Sequence, residues 1–242
     1  MPLFASPASF PRVLLGVCLP CSCVLCGAVG DEPVCPACTQ AYATDRQVRC
    51  PCCANPVDAH DAGRRCGACL ADPPAFDATL SACDYVAPAD RLVLQLKFGT
   101  RLALAPWMAR RLHGAARLDS SLALPDLLCA VPLGPRRLRE RGYNQALEVA
   151  RPLAALLGIP VAPRLVERLV DTAAQSGVTP GERRSNVHGA FALTDTPVSL
   201  HGRHVGVVDD VMTTGATLQA AALALKEAGA ARVVNLVVAR TA

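Results

Sequence analysis

The chain is poor in aromatic residues. They make up only 4% of its 242 residues, with a single Trp, so any core must be aliphatic. It has no apolar run of the roughly 18 to 20 residues that a membrane-spanning helix needs, which argues against membrane insertion. Val13–Leu19 is apolar but short, lacks a basic start and runs into cysteines, so it is read as a segment packing on its own fold and not as a secretory signal. Charge of one sign is also scarce: the net charge of +4 says little about partners, and only local clustering can. The five histidines (His60, His113, His188, His201, His204) show no ligand spacing and receive no function.

Cysteine is abundant. Of 13 cysteines, 11 lie between Cys18 and Cys69, while Cys83 and Cys129 stand alone. An odd count in a paired arrangement argues against a disulfide scaffold and for metal-bound thiolates in a reducing, cytoplasmic setting. Four pairs share one spacing: Cys23/Cys26, Cys35/Cys38, Cys50/Cys53 and Cys66/Cys69. A CxxC turn places two sulfurs on one side of a tight loop, and two such turns facing each other form a closed tetrahedral site for zinc. Eight cysteines therefore predict two structural Zn²⁺ ions. Chain order joins Cys23/Cys26 with Cys35/Cys38 and Cys50/Cys53 with Cys66/Cys69, although an interleaved pairing has the same spacing. A single zinc with a degenerate second site, or an iron–sulfur or redox role, is the alternative. Cys18, Cys21 and Cys52 are surplus, and Cys18-Leu-Pro-Cys21 is a fifth CxxC that competes with Cys23/Cys26. Gly27 favours the latter, since a knuckle turn often needs glycine.

Composition divides the chain at about residue 74. Residues 1–74 are rich in Cys, Pro and Gly and read as a double zinc ribbon, ordered by metal and not by a core. Residues 75–242 alternate strand-like and helical patterns. Strands are expected at Leu127–Leu133, His204–Val208 and Arg232–Ala239, with a short apolar piece at Ile159–Val161. Helices are expected at Asn144–Leu157, which contains Pro152, and at Ala216–Ala228, ended by Gly229. Continuous apolar strands separated by helices predict an α/β fold with a parallel sheet.

The stretch Val205–Gln219 (VGVVDDVMTTGATLQ) joins a strand to a helix at the sheet's carboxyl edge, where open α/β folds bind ligands. Its turn, Val211, Met212, Thr213, Thr214, Gly215, Ala216 and Thr217, puts free amides and hydroxyls at a helix N-terminus, which suits a phosphate. Carboxylates at Asp209 and Asp210 can accept hydrogen bonds from vicinal sugar hydroxyls. Sugar and phosphate side by side suggest a ribose 5-phosphate site. Upstream, Leu133 and Gly134 open a loop with Arg136, Arg137, Arg139 and Arg141, whose guanidinium forks fit phosphate oxygens. Asn144 is a helix cap or a ligand, and Lys97 either reaches a phosphate or snorkels to the surface. Residues 168–186 read as a flexible loop over the site, with Gln175, Arg183, Arg184 and Asn186 as its functional candidates.

The 205–219 stretch resembles the phosphoribosyl-pyrophosphate motif of type I phosphoribosyltransferases. The wider chain resembles the ComF family, which takes in the ComFC-like and GntX-like proteins. The resemblance rests on the paired CxxC ribbons, Ala82-Cys83-Asp84-Tyr85, Leu96-Lys97-Phe98-Gly99, Val131-Pro132-Leu133, the run from Arg139 to Gln145, Asp171–Ser176 and Glu182–Val187. It implies a type I phosphoribosyltransferase-like sheet, phosphoribosyl pyrophosphate with Mg²⁺ as ligand, a grip on pyrophosphate or on single-stranded DNA by Leu133, Gly134, Arg136, Arg137, Arg139 and Arg141, and a role in DNA uptake with single-stranded DNA and a helicase-like ATPase as partners. If the chain is a transferase, the reaction is displacement at ribose C1, with Asp209 and Asp210 holding the sugar. An active transferase on an unidentified acceptor and a non-catalytic ligand-binding scaffold are the other readings.

Overall fold

The computed structural model describes residues 21–43, 47–169, 190–194 and 198–241. The Cys-rich part begins with a two-residue hairpin, β1 (Cys21–Ser22) and β2 (Val29–Gly30), and continues with helices α1 (Pro36–Tyr42) and α2 (Gly67–Ala71). The α/β part runs β3 (Ala78–Asp84), α3 (Asp90–Phe98), α4 (Leu104–Leu118), β4 (Leu127–Ala130), α5 (Pro135–Arg141), α6 (Gln145–Leu157), β5 (Val166–Arg168), β6 (Phe191–Leu193), β7 (His204–Met212), α7 (Ala216–Glu227) and β8 (Arg232–Arg240).

Four strands form a parallel sheet in the order β3-β8-β7-β4. Their residues are buried almost continuously because both faces are covered, as a parallel sheet requires. On one face Leu80, Leu128, Val208 and Leu236 pack with Trp107, Met108 and Leu112 of α4 and Val149 and Leu153 of α6. On the other, Leu127, Val205, Val207 and Val233 pack with Leu218 and Leu225 of α7 and with Phe191 of the β5–β6 hairpin. Among the described residues, the Cys-rich segment has no core of its own. Cys23, Val34 and Cys38 join the first of these clusters, and Cys50, Cys52, Cys69 and Phe76 join the second.

The expected elements appear with shifted ends. β7 runs to Met212, past Val208, so both acids belong to the strand. β4 stops at Ala130, three residues short of Leu133. Asn144 caps α6, its side chain accepting from the amides of Ala146 and Leu147, and Pro152 is accommodated inside the helix. The basic stretch expected as a loop is instead α5. Pro135 at its first position has no amide to satisfy, and Gly142 at φ +81° turns the chain out through the left-handed region. β3, α3 and α4 were not anticipated. β3 reads Ala-Thr-Leu-Ser-Ala-Cys-Asp, a short alternation with only one large apolar side chain, and its five central residues are buried, hydroxyls included.

Candidate functional site

Asp209 and Asp210 lie at the carboxyl end of β7, beside the strand ends that lead into Tyr85, Val131 and Thr241. Asp210 is buried. Its Oδ1 pairs with Lys97 Nζ at 3.0 Å, and its Oδ2 is buried with no hydrogen-bond partner among the described residues. Lys97 therefore neither snorkels nor stands free: it comes off the end of α3 to neutralise a carboxylate. The Asp210 amide donates to Asp209 Oδ1 at 2.8 Å. Burial, and then the neighbouring Asp210 charge, push the Asp209 carboxyl up to about 8, against the pull of that amide and of Lys97. The pair thus resists carrying two full negative charges at neutral pH.

In the turn after β7, Thr213 and Thr214 are exposed and Gly215 is buried. The amides of Thr213, Thr214 and Gly215 have no hydrogen-bond partner among the described residues. Thr214 Oγ1 accepts from the Ala216 amide at 3.4 Å, and α7 begins there. Gly215 sits at φ +81° over the Met212 side chain; an added Cβ would come within 2.6 Å of Met212 Cε. Val211 and Met212 belong to the strand, and Met212 is buried beneath the turn. Three amides without a partner at the start of a 12-residue helix are able to receive an anion.

Helix α5 is linked to the acids through the end of α3. Consecutive residues of α3 make the link: Lys97 meets Asp210, and the Phe98 ring lies 5.3 Å from the Arg141 guanidinium. Arg141 also donates to Gln145 Oε1, and the Tyr143 hydroxyl donates to the Leu96 carbonyl. Asn144 Nδ2 donates to the Val131 carbonyl at 3.0 Å. Arg136, Arg137 and Arg139 are exposed, with Arg136 3.7 Å from Glu140 and Arg139 Nε donating to the Pro135 carbonyl at 3.3 Å. Gly134 caps the helix, and Leu133 is half-buried.

The eight paired cysteines gather in two groups in chain order, Cys23/Cys26/Cys35/Cys38 and Cys50/Cys53/Cys66/Cys69, the sulfurs of each within 4.8 Å of one another. The two groups repeat one design. In the first, the Cys23 amide donates to the Ala28 carbonyl and Gly27 turns at φ +76°; in the second, the Cys50 amide donates to the Asn55 carbonyl and Ala54 turns at φ 55°. Each group's second pair starts on a helix N-cap, Cys35 of α1 and Cys66 of α2. Amides donate to sulfur, Cys35 to Cys23 Sγ at 3.4 Å and Cys66 to Cys50 Sγ at 3.2 Å. Burial raises the Cys23 and Cys50 thiols, but these and neighbouring amides outweigh it and hold them at about 6 and about 7. The sulfurs of Cys26 and Cys35 are 3.7 Å apart, and those of Cys53 and Cys66 3.6 Å. Zinc–sulfur bonds of about 2.3 Å imply tetrahedron edges of roughly 3.8 Å, so the donor sets fit zinc. Cys21 lies in β1 outside both groups, and Cys52 is buried with its sulfur 3.9 Å from the Phe76 carbonyl.

Gln175, Arg183, Arg184 and Asn186 lie outside the described residues, as does Cys18. One residue was missed by sequence reasoning. Arg240 ends β8, is buried, and donates to the carbonyls of Cys53, Met212 and Thr213 and to Asn55 Oδ1. The available signal was a charge closing the apolar run Leu236–Ala239, the same kind of signal that drew attention to Asp209.

Residues 144–241 match the phosphoribosyl transferase domain family, a span that holds both acids and the amide turn. The chain is 37% identical over 223 residues to the DNA utilization protein YhgH of Escherichia coli K12, covering 90% of this chain and 94% of that protein. It is 34% identical over 169 residues to competence protein F of Haemophilus influenzae, covering 69% and 74%. Among solved structures, a purine phosphoribosyltransferase from Pyrococcus horikoshii is 19% identical, covers 57% of this chain and 73% of its own, and gives a TM-score of 0.35.

Proposed function

The chain belongs to the ComF family, that of DNA utilization protein YhgH and competence protein F, with a phosphoribosyl transferase domain, and from this we propose that it binds phosphoribosyl pyrophosphate and serves the uptake or use of DNA. One observation carries the ligand: the acid pair of β7 runs directly into three unpartnered amides at the start of α7. The amides and the hydroxyls of Thr213, Thr214 and Thr217 take the 5-phosphate. Asp209 and Asp210 take the ribose hydroxyls, and Leu133, Gly134 and the α5 arginines face the pyrophosphate. Mg²⁺ bound with the ligand would neutralise pyrophosphate charge. The two cysteine groups hold one Zn²⁺ each as closed, structural sites, which requires a reducing compartment such as the cytoplasm.

The exposed α5 arginines also suit a single-stranded DNA backbone, and the relatives' names point the same way. A helicase-like ATPase is the protein partner this reading implies.

Titration calorimetry with phosphoribosyl pyrophosphate and Mg²⁺ tests the ligand. Wild type should bind, and Asp209→Ala with Asp210→Ala should not. No binding by zinc-replete wild type would sink the proposal. Pyrophosphate release on adding a base would make the chain a transferase; binding without turnover would make it a scaffold or sensor. Oligothymidine binding should weaken with salt, and Arg137→Ala with Arg139→Ala should reduce the salt slope by about one to two.

A further inference from the structure

We infer that Arg240 is a positioning residue that couples the second cysteine group to the amide turn, so that metal held by Cys50, Cys53, Cys66 and Cys69 sets the turn's competence to bind an anion. The inference rests on the reading of the turn as a phosphate receptor. Arg240 has two sides. Toward the cysteine group, its Nε donates to the Cys53 carbonyl at 3.0 Å and its Nη2 to Asn55 Oδ1 at 2.8 Å. Toward the turn, its Nη1 shares its two hydrogens among the carbonyls of Thr213 at 2.6 Å, Thr241 at 2.5 Å and Met212 at 3.2 Å and the Thr241 hydroxyl at 3.1 Å, and Thr241 also holds the Met212 carbonyl through its own amide at 3.1 Å.

The effect on the turn follows from peptide geometry. In a trans peptide the C=O and the next N–H point in opposite directions. Drawing the Met212 and Thr213 carbonyls inward to one guanidinium therefore turns the amides of Thr213 and Thr214 outward. Those amides are unpartnered, and they are the groups that would meet a phosphate. The planar guanidinium fork spans both sides at once, which a lysine ammonium cannot do. On the other side, Cys53 is itself one of the four clustered thiols, and the Asn55 carbonyl accepts from the Cys50 amide. Metal clamps this knuckle. Without metal, the Cys53 carbonyl and Asn55 are no longer fixed, and Arg240 loses the anchor that aims it at the turn. The link is reciprocal: an anion on the turn must tighten metal at the cysteine group by the same factor.

The test uses the full chain and two readouts. Amide resonances of Thr213 and Thr214 are followed by NMR without ligand, metal-loaded and after chelation. Both should shift on metal removal in wild type, and in Arg240→Met both should already be shifted and respond no further. In parallel, Mg²⁺–phosphoribosyl pyrophosphate should bind metal-stripped wild type and metal-loaded Arg240→Met about tenfold more weakly than loaded wild type. It should also slow zinc transfer to a chromophoric chelator in wild type and not in Arg240→Met. Should Arg240→Met fail to fold, Asn55→Ala carries the test. Asn55 makes no hydrogen bond to the turn, yet its loss should shift the Thr213 and Thr214 resonances with metal in place. Unmoved resonances in wild type on stripping, or in Asn55→Ala, overturn the coupling. Failure of loaded wild type to bind the ligand overturns the ligand reading instead, and the NMR result still judges Arg240.

Discussion

Asp209 and Asp210 are adjacent in sequence but not equivalent in chemistry. Asp210 has a cation at 3.0 Å, while Asp209 has an amide and a neighbouring negative charge. Raised from an ordinary 3.8 to about 8, Asp209 keeps its proton in the folded chain over a window in which the unfolded chain has lost it. The folded state then binds more protons, so this group's contribution to stability falls as pH rises from about 4 to about 8. Asp209→Asn should remove that slope and raise stability at pH 8 relative to wild type by roughly 1–3 kcal/mol, with little change near pH 4. Urea melts at the two pH values check it; equal changes at both would mean that the proton is not on Asp209. If Mg²⁺ and sugar hydroxyls favour the charged form, ligand binding at pH 7 should also release protons. Binding enthalpies should then vary with the buffer's ionisation enthalpy. Sequence alone drew attention to both acids, but their division of roles depends on Lys97, more than 100 positions earlier.

At the scale of elements, α5 is the informative case. Four arginines in six residues look like a solvated loop when only charge is read. Two local signals, Pro135 and Gly142, make it a helix, and the cross-chain contacts of Arg141 and Tyr143 tie it to the end of α3. Gly142→Ala should cost about 1–2 kcal/mol and lower the melting temperature by a few degrees, because an alanine resists φ +81° while its methyl meets nothing within 4 Å. Gly142→Asn should cost less, since asparagine tolerates that region. Equal losses in the two variants would assign the effect to packing instead of backbone.

For the whole molecule, the two cysteine groups are built into opposite faces of one sheet. We expect about two zinc per chain by elemental analysis, one for each four-thiolate set. Chelation should do more than loosen the N-terminal segment. Because Cys23 and Cys38 share a core with α4 and α6, and Cys50 and Cys69 one with α7, metal loss should lower the melting of the α/β part as well. Differential scanning calorimetry of loaded and stripped chain checks this. An unchanged main transition after stripping would mean that residues 1–74 fold apart from residues 75–242 and only rest against them.

The sequence by itself determined the features that are local. CxxC spacing selected the eight clustered cysteines, since two sulfurs separated by two intervening residues need only one turn to converge. Continuous apolar runs marked β4, β7 and β8, and the helical period with its Gly229 stop marked α7. The strand–acid–turn–helix order placed the candidate ligand groups on one edge. The tertiary structure decided what depends on separate segments meeting. It paired Lys97 with Asp210, stacked Arg141 on Phe98, buried the small polar strand β3, and set Arg240 between a cysteine knuckle and the turn after β7. Arg240 is the clearest example. Its bonds reach across 185 residues to Asn55 and 28 to Met212, and no periodicity or spacing rule records a hydrogen bond between positions that only the folded sheet brings together.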